Sequence, residues 1–144
     1  MGLLATDITP LGSLGPTTTV PVAKDVLAKV FAVSRTDTVA TTKMILPADA
    51  SIIEVSKFGN TASDAATTAT VTITAANNTG TISTGTALDV KGAGTTTSHV
   101  QMTGLPNLQP MPAAGDIRIN AVYAETGTAS TTGGPWYIKV LYVR

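Results

Sequence analysis

Ser63, Asp64 and His99 are the residues of this 144-residue chain whose types could form a nucleophilic triad. Such a triad needs a serine hydroxyl, a histidine that accepts its proton and a carboxylate that orients the histidine. His99 is the single histidine, and the chain contains no cysteine. No sequence pattern of strand, turn and helix surrounds Ser63, as a nucleophile of this kind would require. We therefore expect no triad, and we interpret His99 as a strand residue that is partly buried or lies at the surface.

Paired carboxylates are a second kind of chemistry that the residue types would allow. A glycosidase places two carboxylates on either side of the scissile bond. No spacing along the chain singles out such a pair, and the positions fit the solvent face of strands or turns. The carboxylates that could be considered are Glu54, Asp89, Asp116 and Glu125.

Metal and phosphate sites lack their usual sequence patterns. Asp49, Asp64 and Asp89 could hold calcium in loops, but no DxDxDG run is present. One histidine and no cysteine are too few ligands for a zinc site. The stretch 91–96, KGAGTT, lacks the GxxxxGK[ST] order of a phosphate loop and a helix to follow it. The sequence predicts no enzyme, no cofactor and no metal site.

The aromatic residues leave two interpretations open. Trp136, Tyr137 and Tyr142 could form a stacking face for a glycan. Trp136 and Tyr142 share one face of a strand, however, while Tyr137 lies on the other, so core packing explains at least one of the two sets. Basic residues are scattered singly among the aromatics, which argues against a nucleic-acid platform.

Charge and composition restrict the partners. Nine Lys and Arg balance nine Asp and Glu, and charged residues make up 12% of the chain, while threonine occurs 27 times. A neutral chain is not drawn to nucleic acid or to an anionic membrane, and no apolar run is long enough for a membrane helix. The N-terminus also lacks the pattern of a secretion signal. A weakly charged surface is poorly protected against association, so we expect a protein that functions packed against other proteins.

Residues 1–23 form an apolar segment that is interrupted by Pro10, Pro16 and Pro21. These prolines prevent a continuous helix or a long strand. An extended apolar arm is explained if it buries its side chains on a neighbouring subunit; the alternative is an arm that folds back on its own domain. The candidate interface residues of the arm are Leu3, Leu4, Ile8, Leu11 and Leu14.

Residues 24–144 carry the strand signals. The clearest is 67–75, TTATVTITA, in which Ala69, Val71, Ile73 and Ala75 alternate with threonines. Residues 38–46 and 51–58 are also predicted strands, joined by a turn at 47–50, and alternation in the second places Ile53 and Val55 on one face. Residues 24–34 are ambiguous between a helical stripe and a strand, and we favour a strand from about Ala28. Weaker strand signals lie at 81–83, 87–91 and 98–102.

Two closing strands are predicted at 116–124 and 136–143, joined by a hairpin loop at 125–135. Seven or eight short strands and no long helix are typical of an all-β, antiparallel β-sandwich with a jelly-roll-like arrangement. We therefore divide the chain into an extended N-terminal arm, 1–23, and a β-sandwich domain, 24–144.

Three segments resemble the decoration or cement proteins of tailed bacteriophage capsids. They are the turn-to-strand step 45–53 (ILPADASII), the strand entry 62–71 (ASDAATTATV) and the C-terminal segment 134–144 (GPWYIKVLYVR). These are β patterns of low specificity, and they span roughly residues 28 to 144.

The resemblance implies a virion protein that is assembled in the host cytoplasm and sits on the outer capsid surface. There it would bridge major capsid protein subunits and associate with itself as a homodimer or homotrimer. Stabilisation would follow from binding only the assembled lattice, and weak contacts would add through multivalency. The alternative function is a glycan-binding or adhesive module of a head fibre or tail component.

Overall fold

A computed structural model of the chain describes residues 25–58, 61–91, 98–100, 102–103 and 115–144. Within these ranges it forms ten strands and no helix, so the prediction of an all-β fold is confirmed. The strands are β1 (Val26–Val33), β2 (Thr41–Leu46), β3 (Ser51–Phe58), β4 (Thr68–Asn77), β5 (Gly80–Gly85), β6 (Leu88–Asp89), β7 (Ser98–Val100), β8 (Met102–Thr103), β9 (Ile117–Thr126) and β10 (Trp136–Val143).

The described strands form two antiparallel sheets. Sheet A has the order β1-β10-β3-β7, and sheet B has the order β2-β9-β4-β5-β8, with β6 also paired to β4. Their inner faces share one hydrophobic core, in which Trp136, Ile138 and Val140 of sheet A meet Val71 and Ile73 of sheet B. Two sheets around one core are a β-sandwich, as predicted.

The order of pairing is that of a jelly roll. β1 pairs with β10, β2 with β9, β3 with β7 and β4 with β5. The chain is therefore a long antiparallel ribbon, folded so that successive pairs alternate between the two sheets. The contacts β10–β3 and β9–β4 then join neighbouring pairs within each sheet. Eight of the ten described strands, four in each sheet, thus have the arrangement of the jelly-roll class, and β6 and β8 are additions to sheet B.

Strand β4 shows why the sequence folds in this way. Its apolar residues Ala69, Val71, Ile73 and Ala75 are all buried, while the threonines between them lie on the outer face. Burial on alternate residues follows from the two-residue period of a strand. Threonine suits the outer positions because its branched β-carbon favours extended backbone and adds no charge.

Strand β3 departs from the predicted alternation. Ile52 and Val55 are both buried, and Ile53 is 42% exposed. The pairing with β10 moves from Glu54 opposite Leu141 to Ile52 opposite Tyr142, so Ile53 is an extra residue in a β-bulge. A bulge shifts the faces by one residue. The prediction that Ile53 and Val55 share a face was therefore wrong.

The connection before β10 also differs from the prediction. β9 lies in sheet B and β10 lies in sheet A, so residues 127–135 cross between the sheets and are not a hairpin.

The ambiguous segment near residue 24 is a strand that begins at Val26, and β2 begins at Thr41 after a turn held by the hydrogen bond from Asp37 N to Ser34 O. The turn at 47–50 is confirmed, with Ala50 N donating to Pro47 O.

Candidate interaction surface

Ser63 and Asp64 are both used by the fold, in hydrogen bonds to residues of other segments. The Ser63 hydroxyl lies 2.8 Å from the Tyr123 hydroxyl. The Asp64 carboxylate accepts hydrogen bonds from Thr131 N, Thr131 Oγ1 and Thr132 N, at 2.8, 2.7 and 2.8 Å. His99 lies on β7 in sheet A, where its backbone is opposite Ser56.

The hydrogen bonds to Asp64 tie the 61–67 loop to the 127–135 connection. Donation by Thr132 N, and next by Thr131, stabilises the ionised carboxylate and holds the pKa of Asp64 at about 2, below its usual 3.8. Two backbone hydrogen bonds, Asp64 N to Thr132 O and Gly134 N to Thr61 O, join the same two segments. Asp64 therefore holds the 61–67 loop against the 127–135 connection.

A second polar cluster surrounds the buried Tyr123 hydroxyl. This hydroxyl donates to Glu125 Oε2 at 2.6 Å, so its oxygen can accept from Ser63 Oγ at 2.8 Å and from Ser130 Oγ at 3.2 Å. Ser130 N also donates to Glu125 Oε2 at 3.0 Å, and Arg35 Nη1 donates to Ser130 O at 2.6 Å. The hydrogen bonds from Ser130 and then Tyr123 lower the pKa of Glu125. The sequence analysis missed this cluster, although residues 123 and 125 necessarily share a strand face.

The remaining candidates for chemistry are dispersed. Glu54 lies on sheet A, 4.0 Å from Lys139 Nζ, while Glu125 lies on sheet B. Asp89 Oδ1 accepts a 2.8 Å hydrogen bond from Lys91 N in a turn after β6. Among the described residues, no three His, Asp or Glu side chains are grouped as metal ligands would be. Most of the 91–96 stretch lies outside the described residues.

Lys57 is a buried cation that the sequence analysis did not single out. It lies on β3, is fully buried, and its Nζ is 3.4 Å from the main-chain oxygen of Asp89. Burial lowers the pKa of Lys57, and the nearby Asp89 carboxylate opposes this effect. Its position follows from the two-residue period of the regular part of β3, in which Lys57 lies opposite Ile138 and shares the inner face with Val55.

The aromatic residues do not form one glycan-binding face. Trp136 is fully buried and stacks on Tyr123 with ring centroids 5.3 Å apart, and its indole nitrogen donates to Thr61 O at 3.0 Å. Tyr142 is also buried. Tyr137 stacks instead on Phe58, with centroids 5.6 Å apart, and both rings are exposed. Core packing thus accounts for Trp136 and Tyr142, which the shared strand face predicted.

The outer surface of sheet A carries exposed apolar side chains together with the Lys139–Glu54 ion pair. Seven large hydrophobic side chains are exposed among the described residues, and five of them belong to sheet A. Exposed apolar patches mark interaction sites, so this surface is the candidate interaction surface. We call this set the apolar face: Val26, Val30, Ile53, Phe58 and Tyr137.

The outer surface of sheet B carries little charge and is rich in threonine. Thr68 Oγ1 and Thr126 Oγ1 lie 2.6 Å apart across β4 and β9, and Thr42 Oγ1 donates to Asn120 Oδ1 at 2.7 Å. Such cross-strand pairs stabilise a sheet without adding charge. Arg118 on this surface donates to Asn77 O at 2.7 Å, so its guanidinium is held by the protein's own backbone. The two outer surfaces therefore differ in chemistry.

The predicted interface residues of the arm, Leu3, Leu4, Ile8, Leu11 and Leu14, lie outside the described residues. Across the described segments, no helix has the length and hydrophobicity needed to cross a membrane.

The fold and the two surfaces define a jelly-roll domain without an assembled catalytic group among the residues described. No family model matches the chain, and no curated protein matches it. Among solved structures, it is similar to a chain of the cyanophage Pam1 capsid asymmetric unit, with a TM-score of 0.52 and 16% sequence identity over 85% of this chain and 86% of that chain. It also aligns with a chain of the acid-stable capsid structure of Helicobacter pylori bacteriophage KHP30, with a TM-score of 0.46 and 14% identity over 84% of this chain and 93% of that one. At this identity the first similarity shows a shared fold.

Proposed function

We propose that this chain is a structural protein of a tailed-phage virion, which binds the outer surface of the mature capsid and stabilises contacts between major capsid protein subunits. The observation that carries the proposal is the jelly-roll fold, which is similar over 85% of the chain to a chain of a cyanophage capsid asymmetric unit. A fold alone does not define a function, so the proposal also depends on the surfaces.

Both outer surfaces suit contact with other proteins. The apolar face would gain free energy by leaving water, at roughly 25 cal/mol for each Å² of apolar area that is buried. The surface of sheet B carries little charge, and hydrogen bonds among its threonine and asparagine side chains already satisfy part of its polar groups. The residues that could have supported hydrolysis, Ser63, Asp64 and Glu125, are engaged in hydrogen bonds that hold loops. This favours a structural protein over an enzyme.

The stabilising mechanism is mass action. A protein that binds the assembled lattice, and not free capsid subunits, stabilises the lattice by RT ln(1 + [L]/Kd), or about 2.7 kcal/mol per site when the free concentration is 100 times Kd. Weak single contacts are sufficient when an oligomer engages several sites at once. We propose a homodimer or homotrimer as the binding unit, with the arm residues Leu3, Leu4, Ile8, Leu11 and Leu14 at contacts between subunits.

Reconstitution on capsids tests this function. Mature capsids that lack the protein are mixed with the purified full chain, and the temperature of DNA release is followed with a dye that fluoresces on DNA. We expect saturable binding to the capsids and a higher release temperature. The double variant Leu11→Asp/Leu14→Asp should lose both effects, while Thr17→Asp/Thr18→Asp, which adds the same charge to the arm, should keep them. Absence of binding by the unmodified chain would refute the proposal.

One observation favours a second candidate, a glycan-binding or adhesive module of a head fibre or tail component. Phe58 and Tyr137 form an exposed stacked pair, and such rings can stack against a sugar. Titration of a glycan panel against the full chain and against Tyr137→Ala tests this candidate. Binding that disappears in Tyr137→Ala would support it, and a flat titration of the full chain would eliminate it.

A further inference from the structure

Strand β1 is an edge strand with unusually little protection against pairing. It lies at the end of sheet A, and among the described strands it pairs with β10 through eight consecutive residue pairs without a bulge. Its sequence, VLAKVFAV, contains no proline and one charged residue, Lys29. Long, flat and apolar edges present unpaired backbone groups that recruit another strand.

The other sheet edges in the described part of the chain are blunted. Strand β2, at the edge of sheet B, has six residues and a register shift between Thr42 and Met44. Strands β7 and β8, at the opposite edges, have three and two residues. Short strands and bulges are the usual means of preventing edge pairing. Among these described edges, β1 is therefore the one most open to pairing with an additional strand.

Lys29 does not close this edge. An inward-facing lysine on an edge strand can discourage pairing, because an added strand would cover its charge. Here Lys29 Nζ donates to Ile45 O of β2, at 3.1 Å, across the gap between the two sheets. An incoming strand with a carboxylate opposite Lys29 would form an ion pair with the Lys29 ammonium group. Charge complementarity thus selects for one acidic residue in an otherwise apolar strand.

The arm contains a segment with these properties. Residues 3–9, LLATDIT, are its longest stretch without proline or glycine, and Asp7 is the one charged residue within 1–23. Placing Asp7 opposite Lys29 in antiparallel register sets all of 3–9 against 27–33. Leu4, Thr6 and Ile8 would then continue the outer, apolar face of sheet A, since alternate residues share a face.

The connecting residues 10–25 favour a neighbouring copy over the arm's own domain. They include Pro10, Pro16 and Pro21. Sixteen residues can span at most about 50 Å, at roughly 3.1 Å per residue for an extended chain. A domain of about 120 residues has a radius of gyration of only about 14 Å. Returning to its own β1 would also need a far longer loop than the two to five residues that hairpins usually have.

We propose that residues 3–9 of one copy add as an antiparallel strand to β1 in a second copy, along the edge that no described strand occupies, with Asp7 facing Lys29. This is β-strand addition, in which main-chain hydrogen bonds provide affinity and alternate side chains provide specificity. Repeated from copy to copy, it is a heterologous contact, which gives a ring when the rotation between copies closes. The inference deepens the proposed function by assigning its self-association to one contact. Capsid binding is measured separately, so either can fail while the other holds.

Disulfide trapping tests the contact, and the absence of native cysteine makes it specific. In the proposed register Ile8 lies opposite Ala28, so Ile8→Cys and Ala28→Cys full-length chains are co-expressed and oxidised. We expect a covalent dimer on a non-reducing gel. Pairing Ile8→Cys with Ala124→Cys, which places the second thiol at an exposed position on sheet B, should give none. Equal dimer yield with both partners would overturn the proposal.

The double variant Ile8→Cys/Ala28→Cys in one chain separates a neighbour from a fold-back. Oxidised oligomers are expected, whereas a disulfide-bonded monomer would show that the arm pairs with its own domain and would overturn the proposal. Sedimentation velocity gives a second measurement. Val30→Lys should convert the oligomer to monomer. Ile45→Lys is the matched control, because Val30 and Ile45 are 53% and 54% exposed, and it should leave the oligomer intact. A monomeric unmodified chain would also contradict the proposal.

Discussion

The Tyr123 hydroxyl donates a 2.6 Å hydrogen bond to the Glu125 carboxylate, two residues further along β9. Because Ser63 and Ser130 also contact this hydroxyl, a residue of sheet B holds both the 61–67 loop and the connection that leads into sheet A. The two sheets are thus joined at this end by a polar cluster as well as by the core.

Removing this hydroxyl should destabilise the domain. Tyr123→Phe leaves Ser63 Oγ, Ser130 Oγ and Glu125 without one partner each in a largely buried setting. We expect a loss of about 1–3 kcal/mol in the free energy of unfolding, measured by urea denaturation. Tyr137→Phe is the matched control, since Tyr137 is exposed and should change stability by less than about 0.5 kcal/mol. Equal effects of the two variants would argue against a structural role for the cluster.

Acid should weaken the hydrogen bonds by which Asp64 holds the 61–67 loop against the 127–135 connection. The pKa of this carboxyl is about 2 in the folded state, below its ordinary 3.8, so the unfolded chain binds the proton more readily. The contribution to stability is complete above about pH 4 and is lost as the pH falls towards about 2. Glu125, whose pKa is also lowered, adds in the same direction.

The variant Asp64→Asn isolates this contribution. Its urea midpoint should be lower than that of the unmodified chain at neutral pH, and the difference should shrink as the pH falls through this window. Asp49→Asn, in the turn before β3, controls for the loss of one carboxylate elsewhere. A difference between Asp64→Asn and the unmodified chain that does not vary with pH would contradict the assignment.

Adjacent residues of β4 should respond very differently to truncation. Ile73 is fully buried, so Ile73→Ala should cost about 2–5 kcal/mol through lost burial and the cavity that remains. Thr72 lies on the outer face, and Thr72→Ala should change the free energy of unfolding by about 0.5 kcal/mol or less. Both are measured by denaturant unfolding, and comparable losses would show that the outer face of sheet B is not solvated in the isolated protein.

Trp136 provides a clean optical test because it is the single tryptophan of the chain. It is fully buried against Tyr123, so its emission should be shifted to the blue and acrylamide should quench it weakly until the protein unfolds. Glycans should leave this emission unchanged. Sugar-dependent quenching of Trp136 in the folded protein would instead require an opening of the core at this position.

Residue alternation predicted the fold where strands are regular. Strand β4 pairs with β9 in one register from Thr68 to Ala76, so its two-residue period shows directly which side chains are buried. Strand β3 contains a bulge at Ile53, and no feature of the letters SIIEVSKF reports an extra residue. Regular alternation from Val55 does place Lys57 on the inner face, but a lysine's usual preference for the surface argues against its burial.

Contacts between residues far apart in the sequence are the second feature that could not be predicted from it. The sequence shows that two strands flank residues 127–135, and neighbouring strands usually pair, which favoured a hairpin. In a jelly roll these strands lie in different sheets. The hydrogen bonds of Asp64 to Thr131 and Thr132 depend on that crossing and join residues 67 and 68 positions apart, so no local pattern could have predicted them.

The copy number of the chain in purified virions tests the central claim most directly. Particles are isolated by density gradient, and the chain is quantified by mass spectrometry against the major capsid protein. A protein that covers the capsid surface should be present in hundreds of copies per particle. A dozen copies or fewer would place it in the neck or tail, and its absence from purified particles would contradict a virion role.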